Sequence, residues 1–108
     1  MLSAAAEDRI FHALADPSRR AIFQSLAGGE AAVKDLTARF DISQPAVSQH
    51  LATLRDAGLV RGRREGRRVY YRVEPGGIKP LVDWIVHYRA FWAQHLAKLE
   101  RLLDDMAP

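Results

Sequence analysis

The sequence predicts a mainly α-helical fold that carries one β-hairpin, in a single domain over residues 1–108. Three observations lead to this prediction. Apolar residues recur at helical spacing in four short stretches between residues 5 and 57. The pattern then changes to alternation over residues 59–73, which is typical of strands. Helical spacing returns over residues 78–105, so we expect about five helices and two strands.

The first two predicted helices meet at a clear helix-start signal. Residues 5–15 place Ile10 and Phe11 on one side of a first helix. Asp16 and Pro17 follow, and these residue types are favoured at the N-cap and at the first position of a helix. The second helix is therefore expected to start here and to end at the next pair of glycines.

The third and fourth helices are predicted to form a helix-turn-helix over residues 33–58. A short helix over residues 33–40 is followed by the stretch ISQPAVSQHLATLRDAGLV, in which Ser43 is placed to cap the fourth helix. Gly58 is expected to end that helix. The apolar side of the fourth helix, which would anchor it on the core, consists of Val47, Leu51 and Leu54.

A basic hairpin is predicted to follow over residues 59–73, with its turn at Glu65-Gly66. Residues 55–72 carry seven arginines against two acidic residues, a net charge of +5, whereas the whole chain carries +3. Clustered arginine is typical of a phosphate-binding surface, and a solvated charged hairpin is the alternative. Two short helices followed by such a hairpin define a winged helix-turn-helix, in which residues 59–73 are the wing.

The side of the fourth helix that faces away from the core is predicted to read DNA. It presents serine, glutamine and small residues, and no acidic residue lies between Ser43 and Arg55. The second helix of a helix-turn-helix enters the major groove, where glutamine pairs with adenine and serine with several bases. The wing arginines would hold phosphates or enter the minor groove. The predicted DNA-binding residues are Ser43, Gln44, Pro45, Ser48, Gln49, His50, Arg55, Arg63, Arg64, Arg67 and Arg68.

The C-terminal segment is predicted to be one long dimerisation helix over residues 78–105. Its apolar residues alternate steps of four and three, which is the spacing of a coiled-coil-like seam. Flanking aromatic and leucine residues widen this stripe beyond what one small domain covers by itself. We therefore expect part of the stripe to pack against a second copy of the chain. The predicted interface residues are Leu81, Ile85, Tyr88, Trp92, His95, Leu99 and Leu102.

These motifs closely resemble the ArsR-type (ArsR/SmtB) bacterial transcriptional repressors. The resemblance covers residues 10–103 and is most specific in SQPAVSQHLATLRDAGLV and EGRRVYYRV. It implies a homodimeric winged helix-turn-helix that pairs through its first and last helices, which adds Ile10 and Phe11 to the predicted dimer interface. It also implies that the protein binds double-stranded DNA at a palindromic operator and represses its own or a neighbouring operon.

The sequence departs from that family at the thiolate metal site. Many metal-sensing members carry the box Glu-Leu-Cys-Val-Cys-Asp-Leu, whereas the matching stretch here is EAAVKDL, residues 30–36. Ala32 and Lys34 replace the two cysteines, and the chain contains no cysteine. Neither residue binds a soft metal, and the lysine adds a positive charge where the cation would lie. We therefore expect no metal site and no cofactor.

Sensing through the C-terminal helix is left open as an alternative function. Asp83 and His87 are four residues apart and could share a metal, but His95 and Glu100 are five apart and point in different directions. His95 interrupts the apolar seam and is a candidate for a hydrogen bond across the dimer or for titration with pH. The aromatic residues could line a pocket for an organic molecule, but at helical spacing we expect them at the interface.

Other classes of protein fit the sequence less well. No Ser-His-Asp, paired-carboxylate or glycine-rich phosphate arrangement is visible, so an enzyme is not expected. No apolar run reaches the roughly 18 residues of a membrane span, and no secretory signal is visible at the N-terminus, so we expect a cytoplasmic protein. The remaining alternative is a winged helix that binds a protein partner, and the arginine-rich wing argues against it.

Overall fold

The computed structural model describes residues 4–106, which form mainly α-helices around a small antiparallel sheet. The ends of the predicted domain, residues 1–3 and 107–108, lie outside the described residues. The prediction of a mainly α-helical fold with a β-hairpin is confirmed. The elements are α1 Ala4–Ala15, α2 Pro17–Ala27, β1 Ala31–Ala32, α3 Val33–Phe40, α4 Gln44–Asp56, β2 Val60–Glu65, β3 Arg68–Val73, a 3-10 helix Pro75–Ile78, α5 Lys79–His87 and α6 Arg89–Met106.

The corner between α1 and α2 forms as the sequence predicts. The Asp16 carboxylate accepts a hydrogen bond from the backbone N–H of Arg19 at 3.0 Å, and Pro17 begins α2. This hydrogen bond lowers the pKa of Asp16, because the charged carboxylate is the better acceptor. The side chains of Arg19 and Arg20 donate to backbone carbonyls in the last turn of α1, at 2.6 to 3.0 Å. Side chains at this corner therefore bind a free backbone N–H at the start of α2 and free carbonyls at the end of α1.

The hydrophobic core lies where the first four helices meet the base of the sheet. Burial of its apolar side chains is the main source of stability for a domain of this size. The side of α4 that is predicted to face the core is fully buried, which fixes how the rest of this helix faces solvent. The largest fully buried side chains are Ile10, Ile22, Leu36, Val47, Leu51, Leu54 and Leu59.

The structure corrects one residue of the predicted dimer interface. Ile10 is only 1% exposed and belongs to the core of its own protomer. Phe11, the next residue along α1, is 42% exposed. Successive residues of a helix point about 100° apart, so the two side chains leave α1 in different directions. Phe11 is therefore available to a second copy of the chain, and Ile10 is not.

Within residues 4–106 the sheet has three strands, one more than predicted, in the order β1, β3, β2. β2 and β3 form the predicted hairpin, and Gly66 has a positive φ of 62° at its turn. The additional strand is Ala31–Ala32, which pairs with Tyr71 and Tyr70 of β3. Two alanines show no alternation, so the sequence pattern could not indicate a strand here. This pairing joins the start of α3 to the wing.

The C-terminal segment consists of two helices and not of the single helix predicted over residues 78–105. α5 and α6 meet at Tyr88, whose backbone leaves helical geometry at φ −99° and ψ 11°. Backbone hydrogen bonds continue across the junction, from Tyr88 N–H to Trp84 O and from Trp92 N–H to Tyr88 O. The Tyr88 ring packs between those of Trp84 and Phe91, with centroids 5.1 and 6.4 Å away. This aromatic packing accompanies the break between the two helices, and no glycine or proline marks it in the sequence.

α6 extends away from the other helices and exposes a broad apolar stripe. Every residue from 85 to 106 is exposed, and the protein measures 60 × 39 × 20 Å along its principal axes. Within residues 4–106, no helix combines the length and the apolar character that crossing a membrane requires. The large apolar residues exposed on α5, on α6 and at the junction between them are Val82, Ile85, Val86, Tyr88, Phe91, Trp92, Leu96, Leu99, Leu102, Leu103 and Met106.

Candidate nucleic-acid interface

α4 presents a polar side to solvent because its opposite side is anchored in the core. Ser43 caps the helix, since its hydroxyl oxygen accepts a hydrogen bond from the backbone N–H of Ala46 at 3.2 Å. Gln44, Ser48 and Gln49 are exposed, and their side chains form no hydrogen bond with the other described residues. Their amide and hydroxyl groups are therefore available to the edges of bases.

A first cleft of about 530 Å³ lies between α4, the start of α3 and the wing. Its lining combines the amide and hydroxyl groups of α4 with three positive charges, from Lys34, Arg67 and Arg68. None of the lining residues that the structure describes is acidic. The cleft can therefore accept an anionic group beside hydrogen-bonding partners. Its lining residues are Ala32, Val33, Lys34, Gln44, Ser48, Arg67, Arg68, Val69 and Tyr71.

A second cleft of about 380 Å³ lies between the wing and the C-terminal end of α4. It shares Val69 and Tyr71 with the first cleft and adds three arginines. Gly62 allows the Tyr71 ring to lie across β2, because a Cβ at this position would be 3.0 Å from two ring atoms. The three arginines of this second cleft are Arg55, Arg63 and Arg64.

The arginines of the wing divide into a paired and an unpaired group. Arg61 Nε lies 3.0 Å from Glu74 Oε2. Arg63 binds Glu30 through Nε and Nη2 at 3.0 and 2.6 Å, and it binds Glu65 through Nη1 at 2.8 Å. The hydrogen bond from Arg63 lowers the pKa of the Glu30 carboxyl, because it favours the charged form. Within residues 4–106, the wing arginines without an ion pair are Arg64, Arg67, Arg68 and Arg72.

The two clefts bring together seven of the eleven residues that the sequence predicts for DNA binding. Four of them lie in the first cleft and three in the second. Three further predicted residues are exposed but are not among the residues described as lining either cleft. They are Ser43, which caps α4, and Pro45 and Gln49 of α4. The predicted residues in the clefts are Gln44, Ser48, Arg55, Arg63, Arg64, Arg67 and Arg68.

His50 is the predicted DNA-binding residue that the structure places differently. It follows Val47 by three positions, at the edge of the anchored side of α4, and it is half-buried. Its Nδ1 atom is buried and has no hydrogen-bond partner among the described residues. The ring also lies close enough to Asp16, at the start of α2, for an electrostatic interaction. His50 is therefore a residue of the core edge and does not point out towards a groove.

Lys34 lines the first cleft, although it is not among the residues that the sequence predicts for DNA binding. In the sequence it stands out only as the replacement for a metal-binding cysteine. The structure places it in the first turn of α3, exposed and facing the same cleft as Arg67 and Arg68. It has no ion-pair partner in the part of the chain that the structure describes. Lys34 is thus a further candidate for a phosphate contact.

The change of Lys34 to alanine is expected to weaken binding to DNA by about tenfold. The slope of log affinity against log salt concentration should fall by about 0.9, the value for one phosphate contact. Fluorescence anisotropy titrations of labelled duplex DNA at several salt concentrations measure both quantities. Lys98→Ala removes the same charge from α6, outside both clefts, and should change neither quantity. A slope unchanged by Lys34→Ala would show that this side chain contacts no phosphate.

The polar residues of α5 and α6 do not converge on a common point. Asp83 Oδ2 is bound by Lys79 Nζ at 2.8 Å. The ring N–H at Nδ1 of His95 donates to the Phe91 carbonyl at 2.8 Å, and the two rings stack with centroids 3.9 Å apart. No three histidine, aspartate or glutamate side chains between residues 4 and 106 lie together where they could hold a metal ion. The hydrogen bond within α6 lets His95 occupy the apolar stripe.

The chain is similar to several bacterial regulators. It is 41% identical over 98 residues to the HTH-type transcriptional regulator Rv2034 of Mycobacterium tuberculosis. This alignment covers 91% of this chain and 89% of that protein. It is 31% identical over 81 residues to the transcriptional repressor SdpR of Bacillus subtilis, and this alignment covers 75% of this chain and 90% of that protein. The crystal structure of an ArsR family transcriptional regulator matches with a TM-score of 0.77 at 31% identity, over 86% of this chain and 97% of that chain.

A family profile described as "Bacterial regulatory protein, arsR family" matches residues 16–61. This range contains α2, α3 and α4, and so includes the whole helix-turn-helix. The resemblance that the sequence motifs indicate is therefore confirmed. Proteins of this kind are DNA-binding regulators and not enzymes. Because the similarity to named regulators extends over nine tenths of the chain, the chain belongs to the arsR family of bacterial regulatory proteins and is a DNA-binding transcriptional repressor.

Proposed function

We propose that the protein is a homodimer that binds a palindromic operator and represses its own or a neighbouring operon. The first cleft is the observation that carries this proposal. Amide and hydroxyl groups of α4 lie there beside the basic residues of the wing and of α3. Groups that can read bases and groups that can hold phosphates therefore meet at one surface, as sequence-specific binding requires. Such a repressor acts in the cytoplasm, where bacterial DNA lies.

In the proposed complex, α4 enters the major groove and its N-terminal half meets the base edges. Gln44 and Gln49 each carry an amide that donates and accepts at once, which suits adenine, and the Ser48 hydroxyl can pair with several bases. Arg67 and Arg68 bind phosphates or enter the adjacent minor groove. Contacts between α4 and the bases would thus determine which sequence is bound, and phosphate contacts of the wing would supply affinity that decreases as the salt concentration rises.

A second copy of the chain is the proposed partner of the apolar stripe. Ile85 is 50% exposed and Leu99 is 49% exposed within one protomer. A large exposed apolar patch is typical of an interaction site. Phe11 extends the stripe, because its ring packs edge-to-face on Trp84 with centroids 5.6 Å apart. The proposed interface residues are Phe11, Leu81, Ile85, Tyr88, Trp92, His95, Leu99 and Leu102.

The proposed dimer explains why the operator should be palindromic. Two copies related by a two-fold axis present identical recognition helices to the two halves of the site. In helix-turn-helix dimers these helices lie roughly 34–36 Å apart, which is one turn of the DNA helix. Each half of the operator would then contact one α4 and one wing.

Binding measurements on DNA from the upstream regions of its own and adjacent genes test the proposal. Fluorescence anisotropy compares each region with a scrambled duplex of the same composition at low and moderate salt. We expect one region to bind about a thousandfold more tightly than its scrambled control, with two chains on each operator. Equal affinity for every duplex, or a single chain on each duplex, would contradict the proposed operator and dimer.

A further inference from the structure

We propose that Arg63 and Glu30 form a clamp that holds the wing against the helix-turn-helix. Arg63 is then a positioning residue and not a DNA contact. This inference rests on the proposed binding of an operator by α4 and the wing. It assigns Arg63 a different role from Arg64, Arg67 and Arg68, although the sequence predicts all four as DNA-binding residues.

Arg63 reaches Glu30 across the width of the sheet. Arg63 of β2 pairs with Tyr70 of β3, and on the other side of β3 Tyr70 pairs with Ala32 of β1. Glu30 directly precedes β1. The guanidinium carbon of Arg63 lies 4.7 Å from the centroid of the Tyr70 ring, so the side chain crosses the middle strand over this ring. One side chain therefore links all three strands.

Carboxylates occupy all three nitrogen atoms of the Arg63 guanidinium. Nε and Nη2 bind Glu30, and Nη1 binds Glu65. These hydrogen bonds use three of the five N–H donors of the guanidinium. The two carboxylates also place two negative charges beside one positive charge, and these repel a DNA phosphate. Arg67 and Arg68 have no ion-pair partner among the described residues, so a phosphate displaces nothing there. Phosphate binding is therefore favoured at the wing tip and disfavoured at Arg63.

The clamp connects the wing to the helix-turn-helix because Glu30 starts the segment that continues through β1 into α3. β1 contains only two residues, so its backbone pairing alone is a weak link. A bidentate pair between arginine and a carboxylate has a defined geometry, and it holds β2 in place relative to α3 and α4. A wing that is oriented before DNA arrives avoids part of the ordering cost of binding.

The direction of the effect of Glu30→Gln distinguishes a clamp from a DNA contact. If Arg63 were a DNA contact, Glu30→Gln should strengthen DNA binding. The variant removes a negative charge near the DNA, and it frees Arg63 to bind a phosphate. If the clamp positions the wing, Glu30→Gln instead weakens operator binding by about threefold to fivefold, the size of one exposed ion pair. Glu65→Gln is the matched control, because it removes the same charge and leaves the bidentate pair with Glu30 intact.

Arg63→Lys is a second variant that keeps the positive charge. Lysine can bind a phosphate but cannot form a bidentate pair with a carboxylate. The clamp therefore predicts that Arg63→Lys weakens operator binding as much as Glu30→Gln, with an unchanged salt slope, and that the double variant is no weaker than either single one. Affinity close to that of the wild type for Arg63→Lys would overturn the clamp.

Hydrogen exchange of the free protein distinguishes a failure of the clamp from a failure of the proposed function. Glu30→Gln is expected to speed exchange of the backbone amides of residues 60–73, and Glu65→Gln is not. This measurement needs no DNA, so a wild-type chain that binds no operator would overturn the proposed function alone. Wild-type exchange rates in Glu30→Gln, or operator binding by that variant as tight as that of the wild type, would overturn the clamp.

Discussion

Replacing both Arg67 and Arg68 with alanine is expected to weaken operator binding on the order of 100-fold. Both side chains line the first cleft beside Gln44 and Ser48. Neither has an ion-pair partner within residues 4–106, so each can bind a phosphate at no cost to an existing contact. The slope of log affinity against log salt concentration should fall by about 1.8, because about 0.9 is lost with each phosphate contact. Anisotropy titrations at four or more salt concentrations give both values.

Arg61→Ala is the control for loss of charge alone. Arg61 belongs to the same hairpin, but its guanidinium is held by Glu74 and it is not among the described lining residues of either cleft. Its removal should leave affinity and salt slope close to the wild-type values. If Arg61→Ala costs as much as Arg67→Ala or Arg68→Ala alone, the hairpin binds DNA through its total charge and not through its tip.

The helix-turn-helix and the wing can be predicted because local sequence defines each of them. Asp16 and Ser43 are residue types that cap helices, and both accept the expected backbone hydrogen bonds. The alternation over residues 59–73 marks the hairpin, and Gly66 supplies the positive φ that its turn needs. Both signals involve residues within a few positions of each other, so a single sequence is enough to detect them.

The features that the sequence does not reveal depend on contacts between distant residues. Arg63 looks like its neighbours in the basic run, but it is paired with Glu30, 33 positions away. Lys34 becomes part of the cleft only because β1 aligns the start of α3 with the wing. The break between α5 and α6 at Tyr88 accompanies the packing of aromatic rings and follows no helix-breaking residue. Residue spacing and composition indicate none of these contacts, because they form only in the folded chain.

Replacing Leu99 with aspartate is expected to convert the proposed dimer into monomers and to reduce operator affinity more than any wing substitution does. Leu99 is 49% exposed within the apolar stripe of α6. A carboxylate buried there against a second copy would lose its hydration without gaining a partner. A monomer occupies only one half of the operator, so it loses the advantage of linked binding, which is on the order of 100-fold to 10,000-fold.

Ala97→Asp is the matched control, because it places the same charge on α6 two positions earlier, on the opposite side of the helix. Sedimentation analysis should show a dimer for Ala97→Asp and a monomer for Leu99→Asp. Each Leu99→Asp chain keeps its own core and both clefts, so it should still bind non-operator DNA, although without the gain that comes from linking two chains. Retained nonspecific binding with lost operator binding would identify the stripe as the dimer interface, whereas a Leu99→Asp chain that stays dimeric would place the interface elsewhere.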